Sequence, residues 1–471
     1  MKSAARGAKK SGSGGSAGST SKSSKTAKTA KSGESAESQK TVKSAKSAKS
    51  ATAGKRAQSA RATTRAAKRE PAASGTTKVR VAPGGSIDAA GGGHDGVATA
   101  ARAKPGTLSA FAPDSRIVLV LQGGGALGAF QVGAYRALHE AGMEPDWIIG
   151  TSIGAINAAL IAGNAPDQRL PALEAFWKRV AMNGLGPWLP PGMGSALNDM
   201  AIMAGGVPGF FRPSRNAWRG QKAKVGVDRA AYYDVAPLRE TLGGLIDGGR
   251  LNAGAPRLTV GAVNVKTSEM RYFDSKRDTL GLDHIMASGA LPPAFPAVRI
   301  DGESYWDGGI YSNTPIEAVL DETPRHDSLI IVVNVWHAHG DEPQSLAEVM
   351  ERQKDIQYAS RAQSHIGRQQ ELHHLRHIIR TLADTLPDTA RETTANRKLA
   401  GFGCRSVMHV AMCSPPHFDG EGATKDIDFS TEGIGNREAS GYEQARSMLA
   451  RAPWLAPADP MCGIIVHAAE T

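Results

Sequence analysis

Between residues 116 and 162 the chain repeats one pattern: a short apolar run, a glycine-rich turn, then a helical stretch. Ile117-Val118-Leu119-Val120-Leu121 is apolar without interruption, as a strand buried on both faces requires. It runs into Gly123-Gly124-Gly125-Ala126-Leu127-Gly128, and a helical pattern from Ala129 to Ala141 is stopped by Gly142. A second strand, Asp146 to Gly150, runs into Thr151-Ser152-Ile153-Gly154 and a helix from Ala155 to Ala162. Strand and helix alternating across short connections predict a mainly parallel sheet sandwiched by helices, a three-layer α/β/α fold. Strand patterns return at Arg257–Asn264, Met270–Phe273 and Leu329–Trp336, a helical pattern fills Ser345–Leu386, and a last strand is expected at Cys404–Met412. Residues 183–230, rich in Gly, Pro, Trp and Met, show no period and read as a long loop region or a lid.

Composition divides the 471 residues unevenly. Residues 1–110 carry 22 Lys/Arg against 5 Asp/Glu, a net of +17, and the first aromatic of the chain is Phe111. Such an arm cannot bury enough apolar surface to offset its ordering entropy, so residues 1–113, including a Gly/Pro-rich linker, are expected to be disordered. Its Lys/Ala/Ser repeats suit a solvated tail, or contact with an anionic membrane, nucleic acid or other polyanion through counterion release. The remainder has a net charge of −6 and divides into a catalytic domain at 114–336 and a helical and mixed extension at 337–471. Three cysteines argue against a disulfide scaffold and for a reducing compartment, the cytoplasm. No apolar run follows the basic N-terminus as a signal peptide would need, and an organellar transit peptide would want an amphipathic face that the arm lacks. Trp147–Pro166 is free of charge for 20 residues, but its Gly, Ser, Thr and Asn content fits a buried strand and helix better than a membrane span.

Each glycine turn alone is ambiguous. Gly123-x-Gly125-x-x-Gly128 after a strand suits a dinucleotide site, which would want an acidic residue ending the second strand. That strand ends instead in Gly150-Thr151-Ser152-Ile153-Gly154, a G-x-S-x-G elbow whose flanking Gly150 and Gly154 allow the turn that lifts a serine hydroxyl clear. The first turn is then better used as a row of backbone N–H groups, from Gly123, Gly124, Gly125 and Gly128, that can bind an oxyanion. A serine nucleophile needs a base, and Asp307, followed by Gly308 and Gly309, can approach one closely.

With these three elements in this order, the sequence resembles the patatin-like phospholipase family over about residues 115–335. Ala287-Ser288-Gly289-Ala290-Leu291-Pro292 looks like the family's Ala-Ser-x-Ala-Leu-Pro stretch. The resemblance implies an acyl hydrolase working through a Ser–Asp dyad on lipid esters, with Ser152 as nucleophile, Asp307 as base, an oxyanion hole in the glycine loop, and no metal or organic cofactor. An ordinary Ser–His–Asp esterase using His337 is the rival within hydrolases, although an elbow after only the second strand is early for it. A catalytically idle scaffold docked to polyanions by the arm is the rival outside them. His373, His374 and His377 lack a metal-site pattern and read as part of a charged helix face, and Cys404 and Cys413 as core residues.

Overall fold

The computed structural model describes residues 115–183, 193–418, 421–457, 459 and 461–468, all within one unit spanning Asp95–Thr471. The arm at 1–113, with the disorder expected of it, and residues 184–192 of the unpatterned stretch lie outside the described residues. The strands are β1 (Arg116–Leu121), β2 (Trp147–Thr151), β3 (Arg212–Pro213), β4 (Tyr233–Asp234), β5 (Arg257–Asn264), β6 (Met270–Asp274), β7 (Val298–Ile300), β8 (Glu303–Asp307), β9 (Ser328–Val333), β10 (Met408–Cys413) and β11 (Ile464–His467). The helices are α1 (Ala129–Glu140), α2 (Ile153–Ala162), α3 (Arg169–Val180), α4 (Met193–Gly205), α5 (Ala236–Leu245) and α6 (Gly248–Leu251). They continue as α7 (Leu282–Ser288), α8 (Glu317–Leu320), α9 (Leu346–Thr385), α10 (Asp388–Arg391), α11 (Thr394–Ala400) and α12 (Thr431–Arg451).

The sheet has the order β11-β10-β9-β1-β2-β5-β8-β7, with β6 also paired to β5. Pairing is parallel from β11 to β5, and antiparallel where β6 and β8 meet β5 and where β7 meets β8. Alternate residues of the central strands enter two separate cores. Leu119, Leu121, Ile148, Ile331 and Val333 pack toward α1, α2 and α3, while Val118, Val120, Ile149, Ile330 and Val332 pack toward α8 and the Ile366 turn of α9. Both faces are therefore covered, which is why these strands read as continuous apolar runs rather than alternating ones. The result is a three-layer α/β/α fold.

The expected boundary at residue 336 does not interrupt this architecture. β10 pairs with β9 over Met408–Cys413, so the extension supplies two strands of the same sheet. α12 lies along α1, and its Gly441 faces the Phe130 carbonyl while Gly133 of α1 faces the Glu438 carbonyl. A side chain at either glycine would overlap main chain, so small residues set how closely these helices pack.

Two expectations for the extension need correction. The last strand begins at Met408 rather than Cys404, leaving Cys404 half-buried before it and Cys413 buried at its end. His373 and His377 do not belong to a charged face: they are 0% and 5% exposed and pack against Gly463, ahead of β11, while His374 stays outside. Positions four apart on α9 line the side turned to the sheet, which the many charges around them obscured. Burial first, and then Arg376 and Arg325, lower His373 to about 4. No group of three or more His, Cys, Asp or Glu among the described residues could hold a metal ion. Among the described residues no helix is long and apolar enough to cross a membrane.

Candidate active site

Strand register explains how Ser152 and Asp307, 155 positions apart in sequence, come together. Gly261 of β5 pairs with Thr151 on one side and Tyr272 on the other. The next residue, Ala262, pairs with Arg271 and with Asp307. β6 thus occupies one edge of β5, and β2 and β8 share the opposite edge, running toward each other until their C-terminal ends meet. The residues at that junction are Thr151-Ser152 and Asp307-Gly308. A switch in strand direction at the C-terminal ends of parallel strands leaves a crevice open for function.

Ser152 sits half-exposed at the turn from β2 into α2 with φ 57° and ψ −128°. A serine with positive φ is strained, and this strain is the geometric mark of a nucleophile elbow. The turn holds because Gly150 packs against the Gly154 carbonyl and Gly154 against the Leu121 carbonyl, where no side chain would fit. The Ser152 N–H donates to both the carbonyl and the Oγ of Ser288, each at 3.1 Å. Ser288 Oγ in turn donates to the Gly261 carbonyl at 2.6 Å, and the Asp307 N–H donates to the Ala290 carbonyl at 3.0 Å. One segment, Ser288–Ala290, therefore holds the backbones of both residues.

Asp307 is 1% exposed. Its Oδ1 accepts the Gly309 N–H at 2.7 Å, whereas Oδ2 has no hydrogen-bond partner among the described residues. Burial raises its pKa from 3.8 to about 7, a rise tempered by the Gly309 N–H and by the neighbouring Ser152 hydroxyl. No cation contributes to that balance among the described residues. Gly308 leaves room for β5, since a Cβ there would stand 2.5 Å from the Gly261 carbonyl.

The glycine loop crosses beside the elbow, and its four glycines have different surroundings. Gly123 is fully bonded: its N–H donates to the Asn313 carbonyl at 3.0 Å, and its carbonyl accepts from Trp336 Nε1 at 2.7 Å and Asn313 Nδ2 at 2.9 Å. A Cβ on Gly123 would lie 2.9 Å from that of Ser152, which measures how closely loop and elbow approach. Gly124 and Gly125 are half-exposed where the loop turns into a 3₁₀ helix at Gly125–Gly128. Gly125 has φ 55° and faces the Asp426 carbonyl, so it requires glycine on both counts. Gly128 is buried against Ile153, 2.6 Å from where its own Cβ would sit, and makes room for α2.

Several residues around this site carried no readable signal. Gln122 Oε1 accepts the Val335 and Trp336 N–H groups at 2.6 and 3.0 Å, and its Nε2 donates to Thr314 Oγ1 at 2.7 Å. Gln122 and Asn313 both donate to the Tyr358 carbonyl at 3.3 Å. Tyr358, on α9, stacks on Trp336 at 4.9 Å, and its hydroxyl pKa is raised by burial and then by Asp426 and Asp307. The partners of Gln122 lie 192 to 236 residues away in sequence and leave no periodic trace. Trp336 and Tyr358 lay in segments read only as a strand and a helix, and Ser288 lay in the Ala287–Pro292 stretch singled out above.

His337 lies elsewhere in this neighbourhood. Its ring stacks on His417 at 4.0 Å, and burial, His417 and Lys425 lower it to about 4. Its backbone N–H donates to Asp355 Oδ1 at 3.4 Å and its carbonyl accepts from Arg352 Nη1 at 3.0 Å.

A family model described as patatin-like phospholipase matches residues 119–320, and another described as patatin phospholipase matches residues 356–461. The chain belongs to the patatin-like phospholipase family. Within it, the chain is 62% identical over 47 residues to lysophospholipase nte1 of Aspergillus terreus, covering 10% of this chain and 3% of that one. It is 53% identical over 55 residues to patatin-like phospholipase domain-containing protein 7 of Rattus norvegicus, covering 12% and 4%. The matches thus span only a few per cent of these curated relatives. Among solved structures, VipD from Legionella pneumophila is 17% identical, with 72% of this chain and 67% of that one covered and a TM-score of 0.33, a likeness too loose to bear on the site. The second family match makes α9 and α12 part of the patatin-like pattern rather than an accessory.

Proposed function

We propose that this protein is a serine acyl hydrolase that cleaves carboxylic ester bonds of lipids, phospholipids or related acyl esters, with Ser152 as nucleophile and Asp307 as general base. The observation that carries it is the meeting of β2 and β8 on one edge of β5, with a strained serine beside a buried carboxyl that has no cation near it among the described residues. A base poised near neutrality is matched to proton transfer at neutral pH, which a solvated carboxylate is not. Asp307 takes the Ser152 proton as Oγ bonds to the ester carbonyl carbon. The resulting oxyanion is held by the N–H groups of Gly124 and Gly125, whose neighbour Gly123 is already committed. Collapse breaks the acyl–oxygen bond, and Asp307 passes the proton to the leaving alcohol. Asp307 then takes a proton from the water that attacks the acyl-serine, and returns it to Oγ as the acid departs. The names of the relatives, a lysophospholipase and phospholipase domain-containing proteins, support a lipid ester as substrate. The basic arm adds a salt-dependent attraction to anionic surfaces, in keeping with a cytoplasmic enzyme peripheral to a membrane.

The test is hydrolysis of a p-nitrophenyl ester series, with chelator present, by wild type, Ser152→Ala, Asp307→Asn and His337→Ala. The first two substitutions should each lower kcat by about four orders of magnitude, as loss of a comparable catalytic member does, and His337→Ala should turn over like wild type. The wild-type kcat/KM should rise with pH to a plateau above about 7. Activity that survives Asp307→Asn and disappears with His337→Ala would overturn the dyad in favour of a triad.

A further inference from the structure

We infer that residues 193–232 form the surface by which this protein seats on an anionic phospholipid bilayer, an inference that rests on the lipid-ester reading above. α4 presents apolar side chains on both sides. Asn198 and Ile202 are buried inward, while Leu197, Met200 and Met203 are 37%, 65% and 56% exposed. Beyond it, Trp218 is 88% exposed and Tyr232 is 48% exposed. These groups are linked: Tyr233 Oη donates to the Met203 carbonyl at 2.9 Å, and the Ser214 N–H donates to the Tyr232 carbonyl at 2.8 Å, closing the β3–β4 loop that carries Trp218. Beneath them Phe211 packs on Tyr233 and Phe295 with ring centroids 4.8 and 5.3 Å apart, so the exposed groups stand on a fixed platform. Tryptophan and methionine side chains held out in water mark a contact surface, and tryptophan is the side chain suited to the boundary of headgroups and acyl chains.

Charge selects the occupant. The same loop carries Arg212, Arg215, Arg219, Lys222, Lys224 and Arg229, against one acidic residue, Asp228. Arg212 pairs with Asp234 and Arg229 with Asp228, but Arg215, Arg219, Lys222 and Lys224 are exposed and form no ion pair among the described residues. Cations interleaved with exposed apolar groups are complementary to anionic headgroups above acyl chains.

Position ties this surface to the site. On one side the Tyr232 and Tyr233 N–H groups donate to the Pro293 and Ala294 carbonyls at 3.1 and 2.9 Å, continuing the segment that holds Ser152 and Asp307. On the other, Asn198 Nδ2 reaches Asp428 Oδ1 at 3.5 Å, two residues past the Asp426 carbonyl that abuts Gly125. A bilayer met by residues 193–232 therefore lies over the crevice between elbow and glycine loop.

The experiment is tryptophan quenching of the full chain by brominated acyl chains in phosphatidylcholine–phosphatidylglycerol vesicles, with Trp218→Phe to isolate that residue. A second variant, Arg215→Ser with Arg219→Ser, is compared with wild type in vesicle partition, and p-nitrophenyl ester turnover is followed throughout. Quenching that is lost in Trp218→Phe, and a partition about thirtyfold weaker in the arginine variant at roughly fivefold per cation, are expected, with soluble-ester turnover unchanged. Equal quenching in wild type and Trp218→Phe, or equal partition, would overturn the proposal, because the basic arm is intact in every sample and cannot account for a Trp218 signal. If Trp218 is quenched while no Ser152-dependent turnover is found, docking stands and the hydrolase reading fails.

Discussion

Two buried ionisable centres flank the glycine loop, and they are built in opposite ways. On the sheet side, Asp307 is buried with a backbone N–H and a serine hydroxyl as its polar neighbours, and its pKa climbs to about 7. On the C-terminal side, Lys425 is 3% exposed but donates to Glu351 at 2.9 Å and lies 3.1 Å from Asp355, while the adjacent Asp426 takes Lys354 at 2.6 Å. Burial is common to both, and pairing separates them. A desolvated carboxyl without a cation can exchange its proton near neutrality. A lysine paired between two carboxylates holds its chain in place, here with the Asp426 carbonyl against Gly125. The first arrangement suits proton transfer and the second suits bracing.

Breaking the brace should have the largest effect on stability. Lys425→Met strands the buried Asp355 carboxylate beside a half-buried Glu351, and urea unfolding should show a loss of about 3–5 kcal/mol. If bracing is its whole role, kcat of the folded fraction falls while the rise of kcat/KM with pH stays near 7. A displaced limb would mean that Lys425 also acts on Asp307.

Asp307→Asn should do the reverse and stabilise the protein in alkaline solution. The fold favours the protonated carboxyl, so its contribution is fully present below about 4, declines between about 4 and 7, and is lost above the folded value. Three pKa units correspond to at most about 4 kcal/mol. Unfolding of wild type and variant across pH should therefore converge in acid and separate above neutrality, with the inactive variant the more stable. Curves that remain parallel would show that Asp307 is not unpaired in the way described.

The smallest effect is expected at Ser288. Ser288→Ala removes the hydroxyl between the Ser152 N–H and the Gly261 carbonyl, at a cost of about 1–2 kcal/mol in stability. Because it positions the elbow rather than touching substrate, kcat should fall with KM unchanged, and Ser288→Thr should recover part of it. A KM effect alone would place Ser288 in the binding of substrate instead.

Legibility in the sequence follows the range over which each signal acts. β1, β2 and the helices after them were readable because apolar runs and glycine turns are local, and β5 and α9 were readable by their length and period. The pair Ser152 and Asp307 was readable as two separate turns, each with glycines that answer a local crowding. His373 and His377 were misjudged because charges around α9 suggested a solvated face, and only the docking of β11 shows which side is covered. The 193–232 region had no period because its apolar residues face both the core and the outside, so no single alternation describes it.

By itself, the sequence determined the local chemistry: a serine on an elbow, an aspartate between a strand and two glycines, and a loop able to present backbone N–H groups. These are set by steric freedom within a few residues. Only the tertiary structure decided that β2 and β8 meet end to end on β5, that Ser288–Ala290 holds the backbones of both Ser152 and Asp307, and that Lys425 braces the glycine loop from the far end of the chain. Those outcomes depend on strand register and on burial between residues far apart in sequence, where desolvation sets the Asp307 proton affinity and no local pattern records it.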